Sequence, residues 1–352
     1  MDNNNNTKTM ASPPLVTHIY TADPSAHVFN NTLYIYPSHD RETSIAFNDN
    51  GDQYDMTDYH VLSLASPPPP HPTSTTASLP PATDHGVALT ASQVPWASKQ
   101  LWAPDAATRD GKYFLYFPAR DAAGIFRIGV AVSDKPTGPF EPRPEPIRGS
   151  YSIDPAAFVD DSDDGQAYLY FGGLWGGQLQ CWDEGGEVFD ESKVGGQQEP
   201  SGAGVRALGP RVGVLRRDML EFEGGTAPRE VRIVDERGEP LAADDHDRRF
   251  FEAPWVHKYR GTYYLSYSTG DTHFLVYATG TSPLGPFTYR GRILEPVLGW
   301  TTHHSVVEWE GRWWLFYHDC ELSGGVDHLR CVKMREIFYD DEGRIGLEPP
   351  PQ

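Results

Sequence analysis

Three acidic residues of this chain open similar short motifs. Asp23 and Asp154 each precede a proline, and Glu252 lies two residues before one. Any one of these motifs alone would be interpreted as a turn. If the three share a cavity, burial and mutual repulsion must raise at least one pKa, leaving a protonated acid beside an ionised base. That pairing is what hydrolysis of a glycosidic bond requires, so we interpret the three residues as catalytic candidates.

Aromatic and imidazole side chains occupy the comparable places of two further motifs. Trp102 leads one of them, and the pair His303-His304 leads the other, with Trp300 just before it. An indole ring offers the flat apolar surface on which a sugar ring can stack. Trp102 could equally belong to the core, and a histidine among aromatics could equally be structural. Together with the acids, these residues indicate a carbohydrate hydrolase.

The elements that must position these residues form an internal repeat. Each copy begins with a polar residue, runs through a short apolar strand, turns at Gly or Asn, and closes with an aromatic strand. Counted at Pro24, Pro104, Pro155, Pro254 and Ser305, the copies start 80, 51, 99 and 51 residues apart. About 50 residues suits one four-stranded blade, so the sequence predicts an all-β, five-bladed β-propeller. The first strands of its blades would line the central axis and bring the candidates together.

The long intervals between copies predict two insertions within a single domain that spans residues 1–352. The first, about 66–83, is rich in Pro, Ser and Thr and is expected to be a surface loop. The second, about 183–249, is charged and rich in Gly. Residues 1–14 are expected to be disordered or loop-like. None of these segments has the pattern of an independent domain.

Composition excludes several classes of partner. The chain has 352 residues, with 29 Lys and Arg against 49 Asp and Glu, which gives a net charge of −20. Such a charge repels nucleic acid and anionic membranes, and there is no apolar run near the ~20 residues of a membrane span. The start of the chain lacks a secretory signal, so we expect a cytoplasmic protein. The three cysteines, Cys181, Cys320 and Cys331, fit no metal-binding spacing and are expected to be buried or idle thiols.

The motifs resemble those of glycoside hydrolase family 43, over about Thr17 to Gly346. The matching segments are ADPSA at 22–26, LWAPD at 101–105, SIDPAAF at 152–158, FEAP at 251–254, and HHSVV at 303–307 followed by Tyr317-His318. The resemblance implies a five-bladed propeller in which Asp23 is the general base, Glu252 the general acid, and Asp154 the residue that raises the pKa of Glu252 and orients it. It also implies inversion of configuration, with the carboxyls of Asp23 and Glu252 roughly 6.5–9.5 Å apart.

The resemblance implies further roles around these acids. His303 aligns best with a family histidine that often holds a hydrated calcium ion at the propeller centre, although no cofactor is required. Arg330 matches an arginine that commonly binds sugar hydroxyls, a structural salt bridge being the alternative. Many family β-xylosidases carry a C-terminal β-sandwich that closes the pocket. This sequence shows none, so the pocket wall is expected to come from its own loops or from a partner subunit.

The expected function is an inverting glycoside hydrolase that releases terminal β-D-xylose from xylo-oligosaccharides. α-L-Arabinofuranose places its hydroxyls similarly, so arabinose-bearing oligosaccharides are a second expected substrate. Two alternatives stay open. One is an arabinan-degrading α-L-arabinofuranosidase or arabinanase, the latter needing an open groove, and the other is a non-catalytic carbohydrate-binding propeller.

Overall fold

A computed structural model describes residues 12–68, 81–161, 165–183, 187–196, 199–225, 228–300 and 303–350. Its strands form five sheets arranged as the five blades of a β-propeller, which confirms the predicted fold. Across these residues, no helix is long and apolar enough to cross a lipid bilayer. The helical segments are single 3₁₀ turns at Ala91–Gln93, Trp175–Gly177, Leu179–Cys181, Glu191–Lys193 and Glu223–Gly225.

Within each blade, the four main strands follow one another along the chain from the propeller axis outward. Blade 1 consists of β1 (Tyr20–Phe29), β2 (Thr32–Asp40), β3 (Asp58–Leu64) and β4 (Thr83–Thr90). Blade 2 consists of β5 (Asp105–Arg109), β6 (Lys112–Arg120), β7 (Phe126–Ser133) and β8 (Glu141–Pro142). Blade 3 consists of β9 (Ala156–Val159), β10 (Ala167–Phe171), β11 (Arg211–Leu215) and β12 (Arg229–Glu230).

The last two blades follow the same plan, with one addition. Blade 4 consists of β14 (Glu252–Tyr259), β15 (Thr262–Ser268), β16 (Leu275–Gly280) and β17 (Phe287–Leu294), and β13 (Ile233–Val234) pairs in parallel with the outer edge of β17. Blade 5 consists of β18 (His304–Trp309), β19 (Arg312–Asp319), β20 (Cys331–Tyr339) and β21 (Ile345–Gly346). Every repeat of the sequence therefore supplies the two inner strands of one blade.

Tight turns explain why the inner strands pair in this register. In blades 1, 2, 4 and 5 the first two strands are joined by two residues that both have positive φ, such as Asn30-Asn31 at 51° and 63° and Asp110-Gly111 at 50° and 76°. Two positive φ values in succession define the type I′ turn, whose twist matches that of an antiparallel pair. The turns thus fix which side chains of the inner strands face the axis.

The ring is closed by the beginning of the described chain. The Leu15 N–H donates to the Val332 carbonyl at 2.9 Å, and the Thr21 N–H donates to the Arg330 carbonyl at 2.9 Å. Leu15 is buried in an apolar cluster between blades 1 and 5 that includes Trp309. Hydrogen bonds and apolar packing, rather than a covalent link, therefore join the first blade to the last.

The structure corrects the extent of the second predicted insertion. Strands β11, β12 and β13 all lie within 183–249, so much of this segment completes blade 3 and extends blade 4. These strands have five, two and two residues, which is too short for a hydrophobic pattern to stand out in a charged, Gly-rich sequence. The Pro-rich core of the first insertion, 69–80, and residues 1–11 lie outside the described residues, while 12–14 have no regular structure.

Candidate active site

One pocket lies at the end of the propeller axis where the inner strands begin. Together with the open space at its mouth, it has a volume of about 880 Å³. The structure brings all six residues of the sequence analysis to its lining, namely Asp23, Trp102, Asp154, Glu252, His303 and Arg330. They come from all five repeats and from the residue just before β20, so the predicted convergence on the axis is observed.

The backbone bends at the acidic motifs. Asp23, Asp154 and Ala253 have φ values of 48°, 58° and 60°, and each is followed by proline. In blades 1 and 4 this bend is a β-bulge, where two residues of the inner strand oppose one residue of its neighbour. Glu252 therefore lies one residue before the position that Asp23 and Asp154 occupy, a difference that the sequence repeat alone does not reveal.

Asp23 is surrounded by positive charge. Its Oδ1 accepts a hydrogen bond from Arg330 Nη1 at 2.9 Å and lies 3.4 Å from His318 Nδ1. Its own N–H donates to His318 Nδ1 at 3.0 Å. Burial alone would raise the pKa of Asp23, but Arg330 and the nearby histidines outweigh this effect and lower the pKa to about 2. Asp23 is therefore a carboxylate throughout the neutral pH range.

Arg330 is held by a second buried acid. Asp40 accepts from Arg330 Nε at 2.8 Å, from Nη2 at 2.7 Å and from the Arg330 backbone N–H at 2.9 Å. Such a bidentate pair fixes the plane of the guanidinium group. The salt bridge weighed in the sequence analysis is therefore present, and Arg330 also lines the pocket, so the two roles do not exclude each other.

Asp154 has the opposite electrostatic environment. It is buried, and its Oδ2 accepts a hydrogen bond from the Ala253 N–H at 3.0 Å. Burial, then the neighbouring charge of Glu252, then that of Asp23 raise the pKa of Asp154 well above its usual value. The Asp154–Glu252 pair therefore retains a proton more readily than ordinary carboxyls do. The hydrogen bond to Ala253 also ties Asp154 to the residue that follows Glu252.

The two adjacent histidines have different positions. His303 Nδ1 lies between the two aspartates, 3.8 Å from Asp23 Oδ1 and 3.9 Å from Asp154 Oδ2. Burial lowers the pKa of His303 to about 4, so its ring is neutral at neutral pH. His304 is wholly buried on β18, where its Nε2 is 2.6 Å from Ser266 Oγ. His303 is thus the histidine that faces the axis.

A buried acidic residue, Asp105, joins three inner strands and lines neither cavity on the axis. Asp105 accepts hydrogen bonds from Ser25 Oγ at 2.6 Å and from the Ala157 N–H, and it lies 2.6 Å from His27 Nε2. These contacts tie β1, β5 and β9 together on the axis. Beyond them a separate cavity opens at the other end of the propeller, lined by His27, Ala157 and Trp255. The two cavities share no lining residue, so the pocket does not run through the propeller.

Loops of this chain build the pocket wall. They are the segment between β2 and β3, the segment 172–177 after β10, and the segment 297–300 between β17 and β18. The first two touch so closely that a Cβ at Gly176 would lie 2.7 Å from the Asn50 carbonyl oxygen. Of the two sources expected for the wall, loops of the chain itself are therefore one.

Aromatic side chains line this wall. The Trp102 Nε1–H donates to the Tyr54 carbonyl at 2.9 Å, and its ring centroid is 4.5 Å from that of Phe126. Trp175 and Trp300 form a second aromatic surface, with centroids 5.8 Å apart. Trp102 is therefore half-buried in the wall, and it retains a face on the pocket.

Sequence reasoning missed three contributors to the site. His318 was named only at the end of a motif, and neither Asp40 nor Trp175 was predicted as a site residue. His318 and Asp40 act through Asp23 and Arg330, from which they are 295 and 290 residues distant in sequence. The position of His318 at the end of β19, next to a recognised motif, was the one available signal.

Comparison with known proteins agrees with this architecture. Residues 16–183 match the model of glycosyl hydrolases family 43. The chain is 70% identical to xylosidase/arabinosidase 43A of Humicola insolens over 338 residues, which cover 96% of this chain and 99% of that protein. It is 53% identical to a xylosidase/arabinosidase of Bacteroides ovatus, covering 94% of this chain and 95% of that one.

Solved structures give the same result. A family 43 β-xylosidase/α-arabinofuranosidase from a compost microbial metagenome, in complex with xylotriose and in a calcium-free form, has a TM-score of 0.87 and 57% identity, covering 97% of this chain and 98% of that chain. A Xanthomonas citri enzyme complexed with xylotriose has a TM-score of 0.83 and 53% identity, covering 96% and 94%. Because relatives of this identity match over nearly their whole length, the chain belongs to glycosyl hydrolases family 43.

Proposed function

We propose that this protein is an inverting glycoside hydrolase that removes terminal β-D-xylose from xylo-oligosaccharides, with α-L-arabinofuranosides as second substrates. The observation that carries the proposal is the pairing, in one pocket, of an ionised Asp23 with the proton-retaining pair of Asp154 and Glu252. The names of the relatives at 70% and 53% identity support the choice of sugars. The family relatives solved with xylotriose support an oligosaccharide substrate.

In the proposed reaction, Asp23 takes a proton from a water molecule as that water attacks the anomeric carbon. Glu252 donates a proton to the glycosidic oxygen as the bond between that oxygen and the anomeric carbon breaks. The new bond forms on the face opposite the leaving group, so the configuration inverts. Arg330 and His318 keep Asp23 ionised, and Asp154 positions Glu252 through the Ala253 N–H. The water loses one proton to Asp23, and the leaving sugar gains one from Glu252. The reaction therefore neither consumes nor releases protons overall.

The relatives favour release of terminal sugars, since those at 70% and 53% identity are named xylosidase/arabinosidase. Enzymes of that kind act on chain ends, which argues against an arabinanase that cuts within its polymer.

A hydrated calcium ion fits the residues around His303. The neutral ring of His303 offers a lone pair, and the carboxylates on either side of it favour a cation. Calcium takes oxygen ligands, which water would supply beside the single imidazole. We propose His303 as the residue that would hold the ion through water. The bound ion would add positive charge beside Asp23 and Asp154.

The roles of the acids can be separated by the leaving group. With 4-nitrophenyl β-D-xyloside the leaving oxygen needs little protonation, whereas with xylobiose it needs a proton from the acid. We expect Glu252→Gln to lower kcat on xylobiose by about 10²–10⁴ and to have a smaller effect on the aryl xyloside. Asp23→Asn should lower both rates to a similar extent, because activation of water is common to both.

Glu308→Gln is the matched control, since Glu308 is an exposed carboxyl on β18 outside the pocket lining, and it should leave both rates unchanged. Undiminished hydrolysis of xylobiose by Glu252→Gln would remove Glu252 from the proposed role. NMR of the first product should show α-xylose from a β-xyloside, and β-xylose would contradict inversion. Binding of xylobiose without turnover by the unaltered protein would favour a carbohydrate-binding propeller.

A further inference from the structure

A second group of potential ligands lies in blade 1, outside the lining of the pocket. His39 is on β2, and Asp58 and His60 are on β3. The pairing of Ser38 with Tyr59 places His39 opposite Asp58, and alternate residues of a strand share a face, so His60 lies on the same side as Asp58. One potential ligand atom from each of the three lies within 4.8 Å of the others.

The three side chains already contact one another. His39 Nδ1 is 2.5 Å from Asp58 Oδ1, and the ring centroids of His39 and His60 are 4.7 Å apart with their planes inclined at 64°. Between 12% and 23% of each side chain is exposed to solvent. An ion could therefore reach the cluster from solvent, while the surrounding strands limit the movement of its ligands.

A further carboxylate orients His60. Asp84 Oδ1 lies 2.9 Å from His60 Nδ1, and Asp84 is itself held by the Gly86 N–H at 2.8 Å and by His18 Nε2 at 2.8 Å. A carboxylate at Nδ1 keeps the proton on that nitrogen, so that Nε2 retains its lone pair. Metal-binding histidines in proteins almost always have such a partner on the second ring nitrogen. The contact between Asp84 and His60 is thus a second observation that indicates a metal site, independent of the distances between the three ligands.

We propose that His39, Asp58 and His60 bind a divalent transition metal ion of the zinc type. Two imidazoles and one carboxylate are a donor set typical of zinc, with a fourth position left for water. Imidazole nitrogen favours Zn²⁺ over the hard ions Ca²⁺ and Mg²⁺, which prefer oxygen ligands. The carboxylates of Asp58 and Asp84 together carry two negative charges, which balance the two positive charges of a divalent ion.

Binding requires only a small rearrangement of the three side chains. Bonds of about 2.0–2.1 Å around a tetrahedral ion place the ligand atoms roughly 3.3 Å apart. Ligand atoms that are now up to 4.8 Å apart must therefore close by up to about 1.5 Å. His39 Nδ1 and Asp58 Oδ1, now 2.5 Å apart, must separate slightly. The ion would replace the hydrogen bond between His39 and Asp58, and the proton of that bond would pass to solvent.

The site would act on the structure rather than on the substrate. None of its three ligands lines the pocket, and His39 is followed by Asp40, which holds Arg330. An ion that joins β2 to β3 would fix the strand end that carries Asp40. We therefore expect bound zinc to raise thermal stability without being required for hydrolysis.

The test is zinc binding to the full chain after treatment with a chelator, measured by equilibrium dialysis at pH 7.5 in excess Ca²⁺. We expect the wild-type protein to bind one equivalent of Zn²⁺ that His60→Asn and Asp58→Asn both lose. Saturating Zn²⁺ should raise the Tm of the wild-type protein by at least ~2 °C and leave the Tm of both variants unchanged. Co²⁺ should give the visible absorption of a tetrahedral ion only in the wild-type protein.

His246→Asn is the matched control, because His246 also contacts an aspartate, Asp271, at 2.9 Å and lies outside the cluster. It should bind zinc as the wild type does. Both cluster variants should hydrolyse the aryl xyloside at the wild-type rate without zinc, which shows that they fold. Undiminished zinc binding by the double variant His39→Asn/His60→Asn would overturn the proposal. So would an equivalent of zinc that xylose displaces, because that ion would lie in the pocket.

Discussion

Asp23 and Asp154 are both buried, yet their neighbours shift their pKa values in opposite directions. Arg330 and the histidines lower the pKa of Asp23 to about 2, whereas burial and the charge of Glu252 raise the pKa of Asp154. Burial alone would raise both. The difference therefore comes from the charges around each carboxyl. The largest of those that lower the pKa of Asp23 is Arg330, which lies 2.9 Å from Asp23 and is held in place by Asp40.

The raised pKa of Asp154 predicts that Asp154→Asn stabilises the protein while reducing its activity. Between about pH 4 and its folded pKa, Asp154 holds a proton that the unfolded chain releases, so its contribution to stability falls as pH rises through that window. Asparagine cannot ionise, and its amide oxygen can still accept from the Ala253 N–H. We expect a Tm at least ~2 °C above wild type at pH 8, with a smaller difference at pH 5.

Activity of Asp154→Asn on xylobiose should fall at least ~10-fold, since asparagine cannot exchange a proton within the pair that Asp154 forms with Glu252. Asp341→Asn, at an exposed site in blade 5, should change neither property. A Tm difference that does not depend on pH would contradict the explanation by ionisation.

At the scale of elements, the bulge in β14 sets the direction of Glu252. Ala253 occupies the left-handed region with φ of 60°, and its N–H is bound by Asp154. A non-glycine residue there costs about 1–2 kcal/mol, and a β-branched residue costs more. The strain is thus located beside a residue of the site, where the bulge redirects the chain.

We therefore predict that Ala253→Val destabilises the protein by about 1–3 kcal/mol and lowers kcat, because the strand can relieve its strain only by moving Glu252. Ala253→Gly is the control for backbone conformation. Relief of strain and the greater entropy of the unfolded chain should nearly cancel in that variant, leaving stability within about 1 kcal/mol of wild type. Thermal unfolding and hydrolysis of the aryl xyloside measure both effects. Equal behaviour of the two variants would disprove a role for the bulge.

The strands of the propeller differ in how well the sequence predicts them. The two inner strands of each blade were predictable because they combine a turn signal with an aromatic, alternating strand, and the repeat made Asp23, Asp154 and Glu252 stand out. Strands β11 to β13 were not predictable, since two to five residues are too few to show a hydrophobic pattern. Asp40 was not predicted as a site residue because its function depends on a contact with Arg330, which is 290 residues away in sequence.

At the scale of the whole molecule, closure of the ring depends on residues that precede β1. Leu15 is buried against blade 5, and its N–H pairs with Val332. We predict that Leu15→Ala lowers stability by about 2–3 kcal/mol and the Tm by roughly 4–6 °C. Thr17→Ala, at an exposed neighbour, should have no effect. An unchanged Tm in Leu15→Ala would mean that the other contacts between blades 1 and 5 are sufficient.

The two cavities on the propeller axis share no lining residue. A sugar released in the pocket therefore cannot leave through the far end of the propeller, and it must depart by the same mouth through which the substrate entered. For the proposed reaction, departure of the monosaccharide and arrival of the next oligosaccharide thus compete for one opening.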